Sequence, residues 1–273
     1  MSRRSVLTVN RRGAMLRSAF GPIIGAALAD SSVIEILANP DGAIWIERQG
    51  TGRHRAEVKI APHDAERIVR LIASTASTEC RSDAPIVSAE LPETGERFEG
   101  LLPPVSTGPC FAIRKPAQLL YTLDDYVREH IITQSQAQVL RQAVDERRNI
   151  VIAGGAGSGK TTLVNALLDE IASVGDRVVI LEDTRELNCS AEDCVTLRTS
   201  PGLVSLRDLV KSTLRLRPDR IIIGETRGGE ALDLLKAWNT GHPGGIATIH
   251  ANSAEAALSR LEQLVAEAVA FNS

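Results

Sequence analysis

The sequence predicts an α/β fold, a parallel sheet with helices on both faces, joined to a smaller α+β domain. Three observations carry that reading. From about Tyr121 onward, short apolar runs alternate with helical patterns of about 10–15 residues, the mark of strand–helix–strand units. One of those runs passes directly into a glycine-rich loop and then a helix. The first half instead reads as strands separated by Pro and Gly turns, with two helical patterns among them. A chain of 273 residues accommodates two domains of about 100–150 residues each. The expected organisation is a loose basic tail over 1–14, an α+β domain over 15–120 and the larger α/β domain over 121–273.

In the first half, "PIIGAALADSSVIEILAN" begins with helical periodicity and ends in an apolar stretch. The turn "NPDG" follows, then "AIWIERQG", which alternates as a strand does and stops at glycine. "DAERIVRLIASTAS" returns to a helix. "PIVSAELPETGERFEGLLPPVSTGPCFAIRKP" reads as strands joined by turns, because Pro103, Pro104 and Pro116 break any helix there. "LLYTLDDYVREHIIT" leads into the second half, and "SQAQVLRQAVDERR" is a helix with Ser135 as its N-cap. The strand candidates are "NIVIA", "DRVVILED", "CVTLRTS", "RIIIGE" and "GIATIHA". Between and after them run "TTLVNALLDEIA", "SLRDLVKSTLRLRPD", "GGEALDLLKAWNTG" and "SAEAALSRLEQLVAEAVAFN". Pro218 stops the second of these helices and Gly241 closes the third.

Composition narrows the function classes. Hydrophobic residues at 43% and charged residues at 24% are an ordinary soluble balance. A net charge of -3 argues against a general nucleic-acid coat and leaves room only for a local basic patch. Aromatics at 3% leave few base-stacking platforms. No apolar run approaches the ~20 residues that cross a bilayer. The opening "MSRRSVLTVNRRGAML" is basic but lacks the apolar core of an export signal, hence the expected tail. Cys80, Cys110, Cys189 and Cys194 form no C-x-x-C pair and are expected as reduced thiols in a cytosol.

"GGAGSGKT", Gly154 to Thr161, fits G-x-x-x-x-G-K-[ST] in full, and its strand–loop–helix context fits too. Gly154, Gly155, Ala156, Gly157, Ser158 and Gly159 form a loop whose glycines let backbone N–H groups turn inward around phosphate oxygens. Thr161 and Thr162 open the helix, whose N-terminus adds unpaired donors and a positive field. Lys160 reaches the β- and γ-phosphates, and the Thr161 hydroxyl is a ligand for Mg²⁺. ATP and Mg²⁺ are the expected ligands.

A triphosphate site also needs a carboxylate beside the metal and an oriented water, both at the C-terminal ends of neighbouring strands. "VVILEDTRE" supplies Glu182 and Asp183, and "RIIIGETRGGE" supplies Glu225. The second strand resembles a Walker B strand in which Gly224 takes the place of the usual aspartate. Glu225 is then the candidate for orienting water, and Glu182, with Asp183, for the metal side. Glu186 and Glu230 read equally well as solvated charges. His242 and His250 lie in "NTGHPGGIATIHANS" without the three or four converging ligands that zinc needs. His250 ends a strand and is expected near the γ-phosphate or the water; His242 shapes the loop.

Together, "GGAGSGKTT", "ILEDTREL", "GETRGGE" and "WNTGHPGGIATIHANS" resemble, in order, the Walker A, Asp, Walker B and His boxes of secretion traffic ATPases. That family serves type IV and type II secretion, including conjugal transfer, and type IV pili. "PDGAIWIE", "GERFEGLLPPV" and "FAIRKP" resemble its N-terminal domain. The resemblance implies a RecA-like P-loop NTPase core with a PAS-like N-terminal domain. It implies ATP hydrolysis by a homohexamer, docked on an inner-membrane secretion or conjugation complex. The expected location is cytoplasmic, in peripheral contact with the bacterial inner membrane. It implies catalytic roles for Glu225, Lys160, Glu182 and the sensor His250, and for Arg97 and Arg114, which resemble arginines that reach the nucleotide across a boundary. Similar proteins continue with further helices beyond the point where this sequence stops at Ser273. The alternative is a RecA-like helicase or recombination motor on single-stranded nucleic acid. Its basic segment would be "KSTLRLRPDR", with Lys211 and Arg215 on one helix face beside Arg217 and Arg220.

Overall fold

The computed structural model describes residues 3–76, 80–81, 83–92, 94–116, 121–200 and 202–270, with side chains from Met15 onward. The chain forms two compact units, Met1–Gln118 and Leu119–Ser273. Among the described residues, no helix is long and apolar enough to cross a membrane.

The first unit opens with helix α1 (Arg3–Ala29). The stretch expected as a loose tail is thus helical in backbone from Arg3; residues 1–2 lie outside the described residues. The helix carries a break at Gly21, φ 66°, a conformation open to glycine, just before Pro22. Leu16, Phe20, Ile24 and Ala27 repeat at helical spacing and are buried, which fixes this helix on the core. Six strands follow: β1 (Val33–Ala38), β2 (Ala43–Arg48), β3 (Gly52–Lys59), β4 (Ile86–Glu90), β5 (Arg97–Leu101) and β6 (Cys110–Arg114). They form one antiparallel sheet in the order β3-β2-β1-β6-β5-β4. Alternate residues Ile36, Ile46, Val87, Phe98, Phe111 and Ile113 point into a single core with α1 and α2 (Pro62–Thr75). In the "NPDG" turn, Gly42 has φ 79°, and a Cβ there would collide with the Ile60 carbonyl.

The second unit is a five-stranded parallel sheet, β7 (Ile150–Gly154), β8 (Val178–Glu182), β9 (Cys194–Arg198), β10 (Arg220–Thr226) and β11 (Ile246–His250), ordered β7-β11-β10-β8-β9. Strand alternation sorts its apolar residues onto two faces. Val178, Ile180 and Ile222 pack with α3 (Leu123–Arg128), α4 (Gln134–Asp145) and α5 (Lys160–Ala172). Val179, Leu181, Ile221 and Ile223 pack with α6 (Leu206–Thr213) and α7 (Glu230–Asn239), while α8 (Ala254–Ala270) covers Ile249. The expected parallel sheet with helices on both faces is therefore present.

Local chemistry moves two expected boundaries. The N-cap of α4 is Thr133, two residues before Ser135, because Thr133 and Gln136 form a reciprocal capping box. Helix α6 ends at Thr213, short of Pro218. Proline disfavours the α conformation of its predecessor, and Arg217 takes φ 54° there. Arg215 therefore lies outside the helix. Arg220 is only 1% exposed and bonded to Asp176 (2.6 Å), Val144 O (2.8 Å) and Gly244 O (3.4 Å). The basic face that a helicase reading needs is dismantled at both positions.

Candidate nucleotide site

Strand β7 runs into the glycine loop, and α5 begins at Lys160. Gly157 (φ 69°) and Gly159 (φ 90°) take left-handed conformations that turn the loop back on itself. A Cβ at Gly154 would meet Ser158 Oγ and press on Lys160 Cγ, so a larger residue there would displace both side chains. Gly155 and Ala156 complete the turn, and Thr162 follows Thr161 in the first turn of α5. Lys160 Nζ donates to the carbonyls of Gly154 (2.9 Å) and Gly155 (2.7 Å), holding its ammonium across the loop.

The strand register carries the other boxes to this loop. In the β7–β11 ladder His250 stands opposite Gly154. In the β10–β8 ladder Ile223 stands opposite Leu181, which places Gly224 beside Glu182 and Glu225 one step beyond. Between Ile223 and Thr226, β10 carries one extra residue relative to β11, a bulge. Bulges re-aim side chains at strand ends. Thr248 Oγ1 anchors this one by donating to Gly224 O at 2.6 Å.

Glu225 accepts from the Arg227 guanidinium at 2.5 Å, and Arg227 also lies 3.6 Å from Asp183. Burial opposes the charge on Glu225. The Arg227 hydrogen bond and the charges of Arg227 and Lys160, with His250 acting in the same direction, outweigh it, holding the carboxyl below the usual glutamate range. Glu225 thus feels both Lys160 and His250.

Glu182 is 2% exposed. Its Oε1 accepts from the backbone N–H groups of Glu186 (2.9 Å) and Leu187 (2.8 Å), while Oε2 is buried without a partner. Burial pushes its carboxyl above the usual range; the two N–H donors only partly counter this. A Cβ on Gly224 would sit 3.2 Å from Glu182 Cγ. The glutamate of β8 therefore fills the space that a side chain on β10 would need. Asp183 accepts from Thr199 Oγ1 at 3.0 Å.

Three residues have a larger part than sequence reasoning assigned. Glu186 Oε2 accepts from Thr161 Oγ1 at 3.2 Å, so it is in contact with the loop rather than merely solvated. Asn165 receives the N–H of Asn188 (2.9 Å) and donates to Glu186 O (3.4 Å), pinning the Asp-box loop to α5. Its i, i+4 spacing from Thr161 was the available signal. Glu230 is buried, and its Oε1 receives the N–H groups of Arg227 (2.6 Å) and Gly228 (2.7 Å). It shapes the loop after β10 and is no solvated charge. His242 lies at the other end of the sheet, its Nδ1 3.0 Å from Pro218 O.

In the first unit, Arg97 and Arg114 are exposed and directly opposite each other on β5 and β6. Glu90 and Glu35 flank them on the neighbouring strands. Next to Arg114, buried Lys115 donates to the carbonyls of Leu28 and Asp30, both at 2.7 Å, which fixes the strand end and its facing.

A phosphate loop at the C-terminal edge of a parallel sheet, with carboxylates at the same ends of other strands of that sheet, defines a P-loop nucleotide-binding protein. The family model for type II/IV secretion system proteins matches residues 18–273, and the chain belongs to that family of ATPases. It is 54% identical over 255 residues to the conjugal transfer protein TrbB of Rhizobium radiobacter, covering 93% of this chain and 78% of that one. It is 35% identical to the type IV secretion system protein PtlH of Bordetella pertussis, covering 86% and 77%. The fold is similar to the pilus retraction motor PilT, solved with ADP, at a TM-score of 0.63 and 19% identity, covering 91% and 70%.

Proposed function

We propose that the chain hydrolyses ATP with Mg²⁺ as a subunit of a homohexameric motor. The ring would drive assembly of, or transfer through, a conjugative type IV secretion apparatus. The observation that carries the site is the register that sets His250 against Gly154 with Glu225 within reach of Lys160. The observation that carries the process is the 54% identity to a conjugal transfer protein. The motor would work in the cytoplasm, docked on inner-membrane subunits of that apparatus.

Magnesium suits the donors at the loop. Thr161 Oγ1 and Glu186 Oε2 are hard oxygen donors in contact at the start of α5, and the partnerless Glu182 Oε2 is a third such oxygen, with Asp183 one residue beyond. Among the described residues no three His, Cys, Asp or Glu converge on one point. That accords with Mg²⁺, which binds through one or two carboxylates and completes its shell with phosphate and water. When bound, the ion neutralises phosphate charge. Lys160 exchanges its loop carbonyls for phosphate oxygens. Glu225 orients the attacking water, and His250 reports the state of the γ-phosphate through the strand it ends.

Arg97 and Arg114 would supply the remaining positive charge. R97A and R114A proteins are expected to bind nucleotide and lose turnover; full turnover in both would remove them from the reaction. The overall reading is tested by magnesium-dependent ATP hydrolysis of the purified chain, with native mass measured with and without ATP. Hydrolysis by a hexamer is expected. Strong, salt-sensitive stimulation by single-stranded DNA would instead point to a nucleic-acid motor.

A further inference from the structure

Up to Ile223, β10 is regular on both sides, paired with Leu181 of β8 and Ala247 of β11. The β11 register then resumes at Thr226 opposite Ile249. Two residues of β10, Gly224 and Glu225, therefore stand against one of β11, Thr248. The break decides which way Glu225 faces. Ile221 and Ile223 pack against α6 and α7, while Ile222 packs on the side of α5. Regular alternation would send Glu225 to the Ile223 side, away from the helix that opens with Lys160. The bulge suspends that alternation. One side chain ties it to β11. Thr248 is 2% exposed and donates from Oγ1 to Gly224 O at 2.6 Å. Thr248 is itself seated in the sheet interior, opposite Ile152 of β7. Thr226, at the far end of the bulge, is also buried, but its hydroxyl has no partner and adds no second tie.

We propose that Thr248 is a positioning residue for ATP hydrolysis, whose hydroxyl holds the bulge in the shape that aims the Glu225 carboxylate at the attacking water. The inference rests on the reading of Glu225 as the water-orienting group. Gly224 O belongs to the peptide unit that joins Gly224 to Glu225. That unit is planar, so fixing its oxygen fixes the N–Cα bond from which the Glu225 side chain departs. Gly224 brings no side chain to steady the step, and a glycine backbone has the most freedom to lose. A Cβ there would lie 3.2 Å from Glu182 Cγ, so the space for a steadying side chain is already taken. The constraint has to come from outside β10, and the Thr248 hydroxyl supplies it. Thr248 bonds backbone, so its effect on rate passes through Glu225. Small shifts are enough, because a misplacement of about 1 Å at a reacting group costs about 10²-fold.

The test compares Thr248→Val, which keeps the branched shape and loses the donor, with Thr248→Ser, which keeps the donor. Amide hydrogen exchange of the nucleotide-free chain, read by mass on a peptide spanning 221–230, needs no hydrolysis. Thr248→Val should speed exchange there and Thr248→Ser should restore protection; unchanged exchange in the valine variant would overturn the tie itself. In single-turnover hydrolysis Thr248→Val should be roughly tenfold slower, with ATP affinity within about twofold of wild type, and Thr248→Ser should regain most of the rate. Added to Glu225→Gln, Thr248→Val should slow the reaction little further, because the group it aims is already disabled. Thr248→Ala replaces the valine variant if urea unfolding shows that valine is not tolerated. Full turnover without the donor, a folded serine variant as slow as valine, or losses that multiply in the double variant would overturn the positioning role and leave the ATPase reading standing. A wild-type rate in Glu225→Gln would instead remove the reading of Glu225, and the role of Thr248 with it.

Discussion

The two ends of the parallel sheet can be compared residue by residue. At the N-terminal ends of the strands, Arg220 and Asp176 form a buried pair, and Arg147 closes on the same carboxylate. Val144 O and Gly244 O take further guanidinium protons, and Asn149 Oδ1 receives the N–H groups of Gly244 (2.8 Å) and Gly245 (3.2 Å). The buried Trp238 Nε1 beside Gly245 lacks a partner at this end, but the charged groups are paired; at the C-terminal ends the charged groups are less complete. Glu182 keeps a buried oxygen without a partner, Lys160 bonds only loop carbonyls, and Arg227 is shared between Glu225 and Asp183. Buried polar groups that find all their partners stabilise a fold, and those held short of them mark where a ligand completes the set. One end of the sheet is built for cohesion, the other for exchange of partners.

The largest contrast should come from breaking the exchange end. K160A removes the cation aimed at phosphate, and E225Q keeps the shape of the side chain while losing its charge. Each is expected to lower ATP turnover by about 10²-fold or more with the unfolding midpoint nearly unchanged. E225Q should still bind nucleotide, measured by titration beside single-turnover rates. An unchanged rate would move the water-orienting role to Glu182 or Asp183.

The cohesive end should answer in the opposite coin. D176A leaves Arg220 buried and unpaired, a change that costs about 3–5 kcal/mol. Urea unfolding should show that loss, while turnover per folded molecule stays near wild type. A large drop in turnover at full stability would erase the distinction between the two ends.

Much of this was legible in the sequence. The glycine loop and the alternating helices and strands announced the second unit, because phosphate binding and parallel sheets impose strict residue patterns. Strand β3 was not legible. "GRHRAEVK" is polar and exposed along an edge, so no apolar alternation betrays it. Nor was the contact of Glu186 with Thr161, which a loop geometry creates and no spacing encodes. Arg220 read as part of a basic patch because charge is visible in a sequence and its buried partner, 44 positions away, is not. The helical start at Arg3 was hidden by its charges.

A subtler probe uses the strain of the exchange end itself. Burial raises the Glu182 carboxyl in the folded state above its unfolded value. The folded chain then holds that proton more tightly, so its contribution to stability is present at acid pH and is lost as pH rises through the folded value. E182Q cannot titrate, and its amide oxygen can still accept the N–H groups of Glu186 and Leu187. Its urea midpoint should therefore fall less than wild type between the ordinary glutamate range and neutrality. Magnesium-dependent nucleotide binding should weaken in the same variant. Parallel pH profiles for the two proteins would mean that Glu182 is not strained by burial.

The two histidines give the smallest and most direct version of the comparison, since one sits at each end of the sheet. His242 is half-buried, with Nδ1 3.0 Å from Pro218 O. H242A removes that bond and should cost about 0.5–1.5 kcal/mol of stability, with turnover per folded molecule unchanged. His250 is exposed at the end of β11, opposite Gly154, so H250A removes little packing. Its stability should stay within about 0.5 kcal/mol of wild type, while turnover falls roughly tenfold or more if the ring faces the γ-phosphate or the water. Measuring unfolding and hydrolysis on both variants separates the outcomes. If H242A loses turnover and H250A loses stability, the assignment of the two ends is reversed. If H250A leaves both unchanged, the exposed ring is no sensor, and the coupling must run through Thr248 and the Gly224 bulge instead.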